Sequence, residues 1–142
     1  MNGRALILAA GAAFAAACGG APTDDGATAT FPADVFETVS STSGQLQIDV
    51  RWWPPTPVKG QNAAQLTFHR TDGVSVDGVQ ASVLPWMPAH GHGTSIQPQS
   101  TIAAPGVVVA SPIYLYMPGQ WQLRITISGA DDDAAVATVE IR

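Results

Sequence analysis

The chain has 142 residues, 6 of them Lys or Arg and 11 Asp or Glu, for a net charge of −5. Charged residues make up 12% of the chain, against about 25% in an average soluble domain. An acidic, charge-poor chain excludes a nucleic-acid surface, which needs clustered Lys and Arg, and a single Cys excludes both an intrachain disulfide and any multi-cysteine zinc or iron–sulfur centre.

The first element is an address. Arg4 is the only charge before Asp24, and Ala5 to Ala17 is a run of 13 small or apolar residues. Such a run matches a secretory leader and is too short for a stable membrane span. Cys18 follows Ala15-Ala16-Ala17. The arrangement resembles a bacterial lipoprotein signal, with small residues before a Cys that is lipidated and becomes the mature N-terminus; an ordinary leader with a spare Cys is the alternative. On the first reading residues 1–17 are removed, Arg4 goes with them, and acyl chains on Cys18 hold the protein on a lipid bilayer, each buried methylene contributing about 0.8 kcal/mol. Gly19, rather than Asp, after the Cys resembles the sorting signal for the outer membrane. A Gram-negative host would therefore hold the domain facing the periplasm, and a Gram-positive one would hold it on its outer surface. Residues 18–33, mostly Gly, Ala, Pro, Thr and Asp, read as a flexible tether.

From residue 34 the apolar pattern has period 2. Leu46, Ile48, Val50 and Trp52 alternate with Gln45, Gln47, Asp49 and Arg51, which predicts a half-buried strand ended by Pro54, Pro55 and Pro57. Ala64, Leu66 and Phe68 predict the next strand, with His69 on its polar face. Val79, Ala81 and Val83 follow the turn pairs Asp72-Gly73 and Asp77-Gly78. Ile113, Leu115 and Met117 predict a strand closed by Pro118-Gly119. Trp121, Leu123, Ile125 and Ile127 form another, and Ala135 to Ile141 the last. Asp131-Asp132-Asp133 reads as a solvated hairpin loop, with too few oxygen ligands for calcium. About seven short strands without a helical stretch predict an all-β, immunoglobulin-like antiparallel sandwich over residues 34–142, its core built on Trp52, Phe68 and Trp121.

One segment carries chemistry. Trp86-Met87-Pro88-Ala89-His90-Gly91-His92-Gly93 holds two of the three His at i, i+2, a spacing that puts both rings on one side of an extended chain. Met87 adds a thioether, and Met117 stands at a strand end that the fold can bring to the same pole. Imidazole suits copper, zinc, nickel and iron, whereas a thioether selects Cu(I). Met87, His90, His92 and Met117 therefore form a candidate metal set, with copper as its ion. The alternatives are a plain polar loop for the two His and a core position for Met117. Trp86 reads either as a plug at the end of the sandwich or as a shield for bound Cu(I), and Trp121 as core.

The segments Gly60-Gln61-Asn62, Asp77-Gly78, Trp86 to Gly93, and Tyr114-Leu115-Tyr116-Met117-Pro118-Gly119-Gln120-Trp121 resemble the YtkA-like family, which is related to FixH-type proteins. That family carries a Trp-Met-Pro-x-Met-Gly-His segment followed by a strand ending Met-x-Gly-x-Trp. The resemblance covers about Val58 to Arg142. It implies a small extracytoplasmic β-sandwich with a role in copper handling or oxidase assembly. Met87, His92, Met117 and Trp121 match the pattern by position. His90 stands where the family has a second Met, which hardens the site and makes Cu(II) or zinc more acceptable.

The expected function is a membrane-anchored copper chaperone or buffer of the cell envelope, with a copper donor or acceptor protein as partner. The alternative is a metal-free protein-interaction module. An enzyme is not expected: no Gly-x-Ser-x-Gly elbow is present, a lipidated Cys18 is lost to cysteine catalysis and to a blue-copper site, and the acids lie in the tether, on strand faces and in one loop.

Overall fold

The computed structural model describes residues 29–142. The leader 1–17, Cys18 and the tether up to residue 28 lie outside the described residues. The last tether residues rest on the domain: Phe31 and Pro32 are half-buried, and Arg51 Nε donates to the Ala33 carbonyl at 3.3 Å.

Nine strands follow: β1 (Glu37–Ser40), β2 (Leu46–Trp53), β3 (Gly60–Arg70), β4 (Gln80–Met87), β5 (His92–Gly93), β6 (Gln99–Ala104), β7 (Val107–Leu115), β8 (Gly119–Ser128) and β9 (Asp133–Ile141). They form two antiparallel sheets, one in the order β1-β2-β3-β7-β6 and the other β5-β4-β8-β9. No helix occurs among the described residues. Period-2 patterning drives the packing: Leu46, Ile48, Val50 and Trp52 of β2 face Leu123, Ile125 and Ile127 of β8 across a shared core in which Trp52, Trp121 and Phe68 are the largest side chains.

All six strands expected from alternation are present, and β1, β5 and β6 are additional. β6 exposes every residue and so has no apolar face to read. β5 is two residues long and exists only as the return of a tight turn. β7 begins at Val107 and ends at Leu115, not Met117. Its first half, Val107-Val108-Val109-Ala110, is uniformly apolar, and Pro112 reads as a breaker but sits in a bulge, where Ser111 and Pro112 oppose Ala63.

The β1–β2 hairpin straps the two sheets together along one side. Glu37 Oε1 accepts from the Thr138 N–H at 3.0 Å, and Thr42 N–H donates to the Ala134 carbonyl at 2.7 Å. Asp131 and Asp132 lie in the β8–β9 turn, Asp131 pairing with Arg70 at 3.3 Å, whereas Asp133 opens β9 and accepts from both the hydroxyl and the N–H of Ser43. Hydroxyl bonds from Ser43 and Ser41 and the Ala134 N–H lower the Asp133 carboxyl to about 2. A depressed carboxyl stabilises the fold fully above its unfolded value near 4, and that contribution is lost as pH falls toward 2. The gap in melting temperature between wild type and Asp133→Asn is therefore expected to narrow on acidification through this window, in a series of thermal melts; a constant gap would contradict the strap.

The register places four chain segments at one pole. Gly60 pairs with Leu115, Trp86 with Gln122 and Gly119 with Ile141. The loops 54–59, 88–91 and 116–118 and the end of β9 therefore meet there.

Candidate metal centre

The β4–β5 hairpin sets the geometry. The N–H groups of His90 and Gly91 both donate to the Met87 carbonyl, at 3.1 and 3.0 Å, closing a tight turn that Gly91 completes at φ +68°. β5 then lies close against β4. A Cβ on Gly93 would stand 2.5 Å from the Pro85 carbonyl oxygen, so a side chain there would push the two strands apart.

In this hairpin Met87 is the direct cross-strand partner of His92. Cross-strand partners project from the same face, with Cβ atoms about 5 Å apart. For Met87 that face is the interior: the side chain is 2% exposed and part of the core. His92 occupies the same face but on a two-residue edge strand, so it stands exposed at the rim. The His90 ring lies 5.7 Å from the His92 ring, centroid to centroid. His92 Nδ1 is 3.0 Å from the Gly93 carbonyl oxygen. A carbonyl only accepts, so the contact suits the tautomer with its proton on Nδ1, in which Nε2 is the nitrogen that could ligate a metal.

The β7–β8 loop brings the second thioether to the same pole. Met117 is half-buried against the core, and its carbonyl accepts from Trp121 Nε1 at 2.9 Å. The Met87 Cε lies 2.9 Å from where a Cβ on Gly119 would be, so Gly119 leaves the space the Met87 methyl fills. Two thioethers on the core side and two imidazoles at the rim thus share one end of the sandwich. Among the described residues no three His, Cys, Asp or Glu gather around a common point, so His90 and His92 need donors of another kind to complete a shell.

The two Trp have different places. Trp121 is core, 1% exposed, and its indole N–H holds the Met117 loop in position. Trp86 is half-buried and is not part of the core between the sheets. Strand alternation turns it to the outer face of its sheet, opposite to Met87, and the Arg124 guanidinium lies 4.5 Å from its ring centroid. His69 is on the outer face of the other sheet, its Nε2 3.4 Å from Asp49, away from this pole.

Asn62 holds a further part of this pole in place. It is a buried polar residue with three bonds: Oδ1 accepts from the Val58 N–H at 2.9 Å, and Nδ2 donates to the carbonyls of Val58 and Gly60 at 2.8 and 3.0 Å. These fix the 54–59 loop. The available signal was a polar residue two positions before Ala64 on a strand whose alternate residues are apolar.

The family model described as YtkA-like matches residues 40–126, from the end of β1 into β8, a span that includes all four candidate ligands. No curated protein and no solved structure matches the chain.

Proposed function

The chain belongs to the YtkA-like family, and from that premise we propose that it is a copper-binding lipoprotein of the cell envelope, a chaperone or buffer that holds the ion with Met87, His90, His92 and Met117. The observation that carries the reading is the Met87–His92 cross-strand pair, a thioether and an imidazole on one face, with the Met117 loop at the same pole. The thioethers favour Cu(I), and the imidazole at position 90 in place of a family Met admits Cu(II). Copper is cargo here, not a catalyst, and the protein is not an enzyme. The exposed imidazoles are the entry point, and a copper donor or acceptor protein docks at this pole. Acyl chains on Cys18 hold the domain on the bilayer, facing the periplasm from the outer membrane in a Gram-negative host.

One observation favours a second reading, the metal-free interaction module: Met87 is nearly sealed from solvent, as a core residue would be. Titration separates the two. The full chain in mild detergent is titrated with Cu(I) and with Cu(II) against a competing chelator, beside the His90→Ala/His92→Ala variant. The variant is expected to lose affinity for both ions, and wild type to release copper on acidification, because only neutral imidazole binds. Equal binding by the two proteins would end the copper reading.

A further inference from the structure

Not one Asp, Glu, Lys or Arg occurs from Gly78 to Leu123, so all 17 charged residues lie outside a stretch of 46. That stretch builds β4, β5, β6 and β7, one side of the sandwich. Depletion of charge is the compositional mark of the centre of a protein interface.

The same side carries a sheet edge without charge. Natural edge strands are short, charged or covered. β1 is short and carries Glu37, whose carboxylate covers β9 by accepting from the Thr138 N–H. β9 also carries Asp133 and Glu140, and β5 is two residues long. β6 carries no charge: Gln99–Ala104 is exposed at every position, and among the described residues it pairs only with β7. A bulge between Ile102 and Ala104 leaves Gln99–Ile102 as the straight run. Ser100 and Ile102 pair with the buried Ala110 and Val108, so both point inward. The facing sheet, at Gln80 and Ala81, leaves them partly open. Ile102 is 57% exposed and overhangs a cleft of about 150 Å³ lined by Gln80, Ala81, Ser100, Ile102 and Val108.

We propose that this edge is where two copies of the chain associate, by antiparallel β6–β6 pairing. A bare strand edge selects an extended strand, and an edge without charge offers nothing to a partner chosen by charge complementarity. Two copies of a chain of net charge −5 repel one another least across an edge strand that carries no charge. Within the straight run the two-fold axis of such a pairing can sit at Ser100 or at Thr101, and only the second brings Ile102 into the pairing. A two-fold axis at Thr101 sets each Thr101 against that of the second copy on the outer face, and each Ile102 opposite Ser100 of the second copy on the inner face, over the cleft. The inference does not depend on copper.

Sedimentation of the full chain in mild detergent, with a chelator present to exclude metal bridging, tests it. At about 100 µM a dimer is expected for so short a contact. Ile102→Lys and Thr101→Pro are each expected to weaken it at least about tenfold with unchanged circular dichroism. Thr101→Cys, in a Cys18→Ser background that leaves it the only thiol, is expected to form a disulfide-linked dimer on oxidation. A chain that stays monomeric at this concentration, or a dimer that both variants leave intact, would overturn the proposal.

Discussion

Replacing Met87 by Leu is expected to lower the affinity for Cu(I) at least about tenfold while leaving the fold almost as stable as before. Leu and Met are nearly equal in volume, and such swaps in a packed core cost less than about 1.5 kcal/mol. The side chain is buried, with its methyl against Gly119, and Leu fills that space without a sulfur. What is lost is a soft donor, the feature that selects Cu(I). Affinity for Cu(II), carried by the imidazoles, falls less. Chelator competition for each oxidation state, run beside thermal melts, reads all three quantities. An unchanged Cu(I) affinity would make Met87 a core residue only and leave the two His without their nearest sulfur.

Asn62→Leu acts on stability instead. Its amide makes three hydrogen bonds to the 54–59 loop and Gly60 while 3% exposed. Each such bond contributes about 1 kcal/mol, and a leucine leaves the loop's backbone groups without their partner. The expected loss is about 3 kcal/mol, or on the order of 10 °C in melting temperature for a domain of this size. The effect extends to the pole that carries the candidate ligands, because Gly60 pairs with Leu115, the last residue before the Met117 loop. Urea unfolding measures it. A loss below about 0.5 kcal/mol would mean that water replaces the amide at no cost.

The fold was legible because most strands bury one face, and a buried face writes period 2 into the chain. β2 and β8 show this residue by residue. β6 was illegible for the converse reason: with no buried face, Gln99–Ala104 carries no alternation. β7 was half legible, since Val107–Ala110 is apolar on both faces and Pro112, normally a stop, is absorbed by a bulge opposite Ala63. At the candidate site, residue types and spacing single out the candidate donors but not their depth. That Met87 points inward follows from its phase with Ala81 and Val83. That His92 shares its face follows from the register of a hairpin whose turn length no periodicity specifies. Trp86, one residue out of phase, faces the other way, so adjacency in sequence to a candidate ligand does not put the two side chains on one face. Asn62 was hidden because its role is fixed by a loop, not by a pattern.

X-ray absorption at the copper edge, on the full chain loaded with one equivalent of Cu(I), tests the copper site most directly. A mixed shell with both sulfur and imidazole scatterers is expected, the sulfur signal diminishing in Met87→Leu and again in Met117→Leu. A shell of nitrogen and oxygen alone, the same in wild type and in both variants, would contradict it.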